Sequence, residues 1–127
     1  INSDGEMNEG SNWEAIMFAA HHSLNNLILV IDYNNLQSFD TIDTTLKLEP
    51  LHDKMNAFGW KVITVDGHNH AILNKTLKEA KKVKNKPICI IANTIKGKGV
   101  SFMENSVMWH YKSLNENTHS DAMIEII

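Results

Sequence analysis

The chain has 127 residues, a formal net charge of −3, 43% hydrophobic residues and 21% charged residues. That is enough for one domain around one core, and it gives no general attraction to nucleic acid or to an anionic membrane. No run approaches the roughly 18 consecutive apolar residues needed to span a bilayer, and the lone cysteine, Cys89, excludes an internal disulfide and fits a cytoplasmic protein.

Ile1-Asn2 reads as the end of a strand whose earlier residues are missing. The expectation is one domain over 1–127, truncated at its N-terminus. Ser3-Asp4-Gly5 is a tight turn. Residues 9–24 carry a helical pattern, with Asn8 or Ser11 as cap, Glu9 and Glu14 near the positive end, and Trp13, Ile16, Met17 and Ala20 at helical spacing. Asn25-Asn26 turns the chain into the apolar run 27–31, of the kind buried on both faces in a parallel sheet. The polar, Thr-rich stretch 38–48 reads as a surface loop. Pro50 starts a short helix through 58, ended by Gly59.

A strand over 61–66 follows, with Gly67 as its turn. Residues 70–83 form an amphipathic helix whose apolar face is Leu73, Leu77 and Ala80. Its opposite face, Lys75, Lys78, Lys81 and Lys82, reads as solvated. A strand over 87–94 places Cys89 in the core, "IKGKGVSF" forms a flexible glycine loop, and 116–127 form a final helix. Strands alternating with helices predict an α/β fold, a mostly parallel sheet with helices on both faces.

Parallel strands deliver their C-terminal ends to one edge, where ligands bind. The segment from Asp4 to Asn34 is one complete crossover, so both residues sit at ends of parallel strands and both side chains can reach one point. A carboxylate, an amide oxygen and backbone carbonyls are hard donors that suit Mg²⁺ or Ca²⁺. Two side chains are too few for a protein-only cage, whereas Mg²⁺ commonly completes its octahedron with phosphate oxygens and water. One charged and one neutral ligand then suit an anionic diphosphate. Gly5 would let phosphate approach the backbone, and the following helix would turn its positive end toward it. Read without further context, Asp-Gly and Asn-Asn are equally ordinary turn residues.

Three blocks in order change that balance: "SDGEMNEGSNWEA", "VIDYNNLQS" and "IKGKGVSFMENSVMWHYKSLN". Together they resemble the thiamine diphosphate domain of transketolases, above all the N-terminal subunit of split transketolases. The family signature is Gly-Asp-Gly with an Asn one crossover later. The resemblance implies that Asp4 and Asn34 give side-chain oxygens to Mg²⁺ and that Leu36 gives its backbone carbonyl. It places Gly5 against the diphosphate, Glu9 near the cofactor and dimer interface, and His110 between the diphosphate and the substrate side as the catalytic residue. Two departures stand out. Ser3 replaces the first Gly of the signature, and Tyr111 stands where many relatives carry Gly.

The implied activity is transfer of a two-carbon ketol unit between sugar phosphates, with thiamine diphosphate and Mg²⁺ as cofactors. The family's upstream histidines and the Glu that activates the cofactor's aminopyrimidine have no match here. The expected partners are therefore a second copy of this chain and a C-terminal transketolase subunit; the fragment alone is expected to be inert. Alternatives are a deoxyxylulose phosphate synthase type of enzyme and a non-catalytic cofactor-binding or assembly module. His68 and His70 read as turn and helix-start residues, His21-His22 as a helix end, Lys96 and Lys98 as exposed, the three tryptophans as core or interface residues, and the methionines as packing.

Overall fold

The computed structural model describes residues 1–126. Four strands, β1 (Asn2–Ser3), β2 (Ile28–Tyr33), β3 (Lys61–Asp66) and β4 (Ile88–Asn93), form one parallel sheet in the order β1-β2-β4-β3. The helices are α1 (Gly10–His21), α2 (Ile42–Thr45), α3 (Leu51–Ala57), α4 (His70–Ala80) and α5 (Glu116–Ile126). The expected final helix is thus present as α5, and position 127 of that expectation lies outside the described residues. Single 3₁₀ segments occupy Gly5–Asn8 and Val107–His110.

Strand β4 lies between β2 and β3, and every residue from Ile88 to Ala92 is buried. Its side chains alternate between two cores, as the two-residue period of a strand requires. Cys89 and Ile91 join Ile31, Ile16, Ala19, Leu51 and Met55, the core under α1 and α3. Ile88, Ile90 and Ala92 join Val65 and Ala80, the core under α4. Helices therefore cover both faces, and the α/β expectation holds. Trp60 is buried and its indole Nε1 donates to the Ile16 carbonyl at 2.9 Å, fastening β3 to α1. Asn69 caps α4, its side chain accepting from the Ile72 amide at 3.0 Å. Gly59 ends the α3 region at φ +87°, a conformation that favours glycine.

Four local expectations are corrected. Helix α1 starts at Gly10 and follows a separate 3₁₀ segment, and its N-cap position, Glu9, makes no side-chain capping bond, so neither Asn8 nor Ser11 caps it. Met17 is 51% exposed, and Ala19 takes the inward place; Met108 and Met123 are exposed as well, so only Met7 and Met55 pack the core fully. The Thr-rich stretch is not simply a surface loop. Thr41 caps the single turn α2, and Ile42 and Leu48 plug into the core at 2% and 3% exposure. In α4, Thr76 is buried while Leu77 remains 37% exposed, because the inward face is centred on Leu73, Thr76 and Ala80.

The glycine stretch after β4 is folded into turns. The Asn105 amide donates to the Lys96 carbonyl at 3.0 Å and closes the loop. Gly97, at φ +74°, packs so tightly on Met103 that a Cβ would fall 2.5 Å from its carbonyl oxygen. Lys98 pairs with Glu104 at 3.4 Å, and the Trp109 indole donates to the Phe102 carbonyl at 2.8 Å.

Candidate active site

Strands β1 and β2 are direct neighbours, with Ser3 opposite Asp32. The ladder runs one residue further, where the Asp4 amide donates to the Asp32 carbonyl at 3.2 Å. Asp4 and Asn34 therefore leave the sheet side by side. The Asp4 carboxylate (Oδ2) accepts the Asn34 backbone amide at 3.0 Å and is 1% exposed. Burial raises its pKa; backbone amides of Asn34, Asn35 and Gly5 pull it partly down, and Asp32 pushes it up again. None of the ion pairs among the described residues involves Asp4.

A buried carboxylate without a counter-ion costs several kcal/mol. Met7 and Ile31, both fully buried nearby in the chain and the sheet, contribute about 1.5–3 kcal/mol each and keep the segment closed. The backbone amides offset part of the cost but bring no charge, which leaves room for a cation.

The segment after β2 is shaped by Asn35, a non-glycine residue at φ +64°. Asn tolerates this left-handed conformation better than most residues. Asn34 folds its side chain back, so that Oδ1 accepts the Leu36 amide at 3.0 Å. Leu36 then bridges Thr41 in antiparallel fashion. That bridge is made by the Gln37 amide to the Asp40 carbonyl at 2.8 Å and the Ile42 amide to the Asn35 carbonyl at 3.1 Å. It leaves the Leu36 carbonyl outside the pairing. The three groups named from sequence for Mg²⁺ thus lie on one short stretch of the carboxyl edge. Among the described residues no group of three or more His, Cys, Asp or Glu side chains could hold a metal ion. The donor set on offer is instead one carboxylate, one amide oxygen and one carbonyl, which fits an Mg²⁺ whose remaining sites are filled by phosphate and water.

Ser3 and Glu6 form a reciprocal capping box. The Glu6 carboxylate accepts the Ser3 amide at 2.7 Å and the Ser3 hydroxyl at 3.1 Å, and the Ser3 Oγ accepts the Glu6 amide at 3.3 Å. These bonds from Ser3 lower the Glu6 pKa. Ser3 is not among the residues at positive φ, so its side chain is tolerated where the family signature has Gly. Gly5 likewise has no positive φ, and a Cβ there would meet nothing closer than Gln37 Cγ at 3.7 Å. Its lack of a side chain is therefore not required by the fold itself.

Beside this turn opens a cleft of about 400 Å³, lined among others by Gly5, Glu6, Asn8, Glu9, Gln37 and Ser38. Glu9 is exposed on its wall. His110, at the end of the second 3₁₀ segment, is exposed and lies 3.2 Å from Ser38 Oγ through Nε2. The Val107–His110 segment is thereby attached to the Asn34–Ser38 edge across 72 positions of sequence. A second hollow of about 250 Å³ between Ile16, Leu29 and Trp60 is mainly apolar, with Asn2 and Asn12 also in its lining.

Several participants escaped the sequence reading. Asp32 accepts the Thr94 hydroxyl and joins the ends of β2 and β4. Asn8 donates to Gln37 Oε1 at 2.9 Å in the cleft wall. Ser38 holds His110. Only the capping box had a sequence signal, the Ser-x-x-Glu spacing of Ser3 and Glu6. Cys89 is fully buried, and desolvation pushes its thiol up to about 12, in keeping with a core role. Lys96 is half-buried and Lys98 exposed.

The chain matches the model of the family described as transketolase, thiamine diphosphate binding domain, over residues 1–124. It is 43% identical to the 6-deoxy-6-sulfo-D-fructose transketolase subunit SqwG of Clostridium sp. (strain MSTE9), over 99% of this chain and 46% of that protein. It is 36% identical to one of the subunits of the apulose-4-phosphate transketolase of Phocaeicola vulgatus, over 97% of this chain and 44% of that protein. Among solved structures, the transketolase of Campylobacter jejuni superposes with a TM-score of 0.90 at 33% identity, covering 98% of this chain and 19% of that one. The chain thus spans less than half the length of these relatives. It belongs to the transketolase family, as a thiamine-diphosphate-binding domain akin to the N-terminal subunits of split transketolases.

Proposed function

We propose that this chain anchors Mg²⁺ and thiamine diphosphate in a two-chain transketolase that moves a two-carbon ketol unit between sugar phosphates. The observation that supports this most directly is the buried Asp4 carboxylate, bonded to the Asn34 amide where two adjacent parallel strands end. Asp4 and Asn34 provide side-chain oxygens to the ion, and Leu36 provides its carbonyl. Gly5 offers the diphosphate a backbone without a side chain, and Glu9 stands on the cleft wall. Bound thiamine diphosphate supplies the electron sink for making and breaking the carbon–carbon bond.

The protein's part is positioning. One carboxylate and one neutral amide balance the ion without repelling the diphosphate. His110 acts at the rim of the site as a proton donor or electrostatic partner, oriented by Ser38. The remaining groups come from a second copy of this chain and from a C-terminal transketolase subunit, in the cytoplasm. Tyr111, stacked edge-on against His110 with ring centroids 4.9 Å apart, narrows the substrate side.

Calorimetry of the full chain with thiamine diphosphate tests this reading. Binding is expected only with Mg²⁺ present, and Asp4→Asn should weaken it by at least about 100-fold. Ketol transfer should appear when the C-terminal subunit is added. Binding that ignores both Mg²⁺ and Asp4→Asn would overturn the assignment of the site. No binding at all would favour a non-catalytic assembly module.

A further inference from the structure

At the other end of the carboxyl edge, the turn after β3 is clamped to the exit of β4 at two points. The Gly67 amide donates to the Asn93 carbonyl at 2.7 Å, and the Ile95 amide donates to His68 Nε2 at 2.8 Å. The turn that presents His68 is itself fixed. The His68 amide donates to Asp66 Oδ1 at 2.9 Å, the Asn69 amide donates to the Asp66 carbonyl at 3.3 Å, and Asn69 caps α4. Gly67 lets the two segments meet, since a Cβ there would fall 2.4 Å from Thr94 Cγ2 and 3.0 Å from the Asn93 carbonyl oxygen.

Ile95 is the first residue of the loop that Asn105 closes onto Lys96, and that loop leads to His110. An imidazole nitrogen accepts a hydrogen bond only when it carries no proton. The observed bond therefore requires neutral His68 with its proton on Nδ1. We propose that His68 is a positioning residue: its neutral ring pins the start of the 95–105 loop, and with it the approach to His110, to the rigid turn after β3, and protonation of the ring frees that end at Ile95 while Ser101 stays bonded to Glu125 of α5.

Protonation turns the acceptor into a donor facing the Ile95 N–H. The charged groups around the ring do not restore the contact. Asp66 on its own turn already accepts the His68 backbone amide. Across the loop, Glu104 interacts with the ring electrostatically and is held by Lys98 and by the Gly99 amide. Both carboxylates are engaged elsewhere and offer nothing to Ile95. His70 at the start of α4 and Lys96 in the loop are the other titratable groups on the two joined segments.

The consequence for His110 rests on the function proposed above; the pin itself does not. Residue-resolved amide exchange on the full chain tests it, with rates corrected for their intrinsic pH dependence. Ile95 protection should fall about tenfold or more between pH 7.5 and pH 5.5, while Gly67, whose acceptor does not titrate, keeps its protection. His68→Gln supplies an acceptor that does not titrate and should hold Ile95 at both pH values. His68→Phe should lose that protection at both.

The ¹⁵N shift of the ring in the unsubstituted chain needs no variant and should report an unprotonated Nε2 at pH 7.5. Unchanged Ile95 protection across the two pH values, a His68→Gln chain that behaves like His68→Phe, or an Nε2–H tautomer at pH 7.5 would each overturn the proposal. If Ile95 behaves as expected while cofactor binding proves absent, the pin stands and the proposed function falls.

Discussion

The two ends of the sheet's carboxyl edge are built on opposite principles. At β3 and β4 the backbone amides of Gly67 and Ile95 find acceptors across the gap, and Gly67 closes the space until no side chain fits. At β1 and β2 the chain buries a carboxylate, leaves an amide oxygen and a carbonyl at the surface of a turn, and opens a cleft of about 400 Å³ beside them. The first arrangement is complete without any other molecule. The second buries a carboxylate that backbone amides offset only in part and that no ion pair among the described residues balances, as the proposed metal site requires. The difference separates the end that the chain closes by itself from the end where the proposed site lies.

Gly67→Ala attacks the closed end and carries the largest expected effect. The added Cβ must displace both Thr94 and the β4 backbone, at a cost of about 2–3 kcal/mol. Denaturant unfolding should show this as a lowered midpoint with an unchanged slope. An alanine accepted without loss would mean that the two segments are not in contact.

Asp4 tests the open end through pH. Its folded-state pKa lies above the unfolded value because burial disfavours the charge. The folded chain therefore holds that proton more tightly than the unfolded chain. The contribution to stability is fully present below the unfolded carboxyl range and is lost as pH rises through the folded value. Relative to Asp4→Asn, the metal-free chain should thus lose stability as pH rises above the ordinary carboxyl range. Mg²⁺ together with thiamine diphosphate should restore it at neutral pH, and only where Asp4 is present. A gap between the two chains that is flat with pH would show that the carboxylate is compensated within the chain.

The smallest effect belongs to Ser3→Gly, which recreates the family signature. It removes the Ser3 half of the capping box at a cost of about 0.5 kcal/mol. It should leave cofactor affinity within about twofold, because Ser3 needs no special backbone conformation. A large gain in affinity would instead assign Ser3 an obstructing role.

Much of the scaffold was legible in the residues. The run 27–31 and the strand around Cys89 announced themselves by unbroken apolar content, and Gly59 and Gly67 marked the ends of α3 and β3. The pairing of Asp4 with Asn34 followed from one rule, that a single crossover returns the chain to the same edge. What escaped was tertiary. Nothing in 38–48 has a helical period, yet Ile42 is buried because the bridge between Leu36 and Thr41 swings it inward. Met17 has the spacing of a core residue, but the sheet selects Ile16 and Ala19 as the inward pair. His68 read as a turn residue, which it is; that its ring accepts an amide 27 positions away depends on strand order, which periodicity does not reveal. The link between Ser38 and His110 is hidden for the same reason.

The division of β4 between two cores has an evolutionary consequence. Substitutions there can be absorbed one side at a time, since Cys89 and Ile91 face one core while Ile88, Ile90 and Ala92 face the other. Insertion or deletion of a single codon has no such refuge: it would exchange the inner surfaces of both halves at once. Descendants of this gene should therefore vary in side-chain size along that strand while keeping its length fixed.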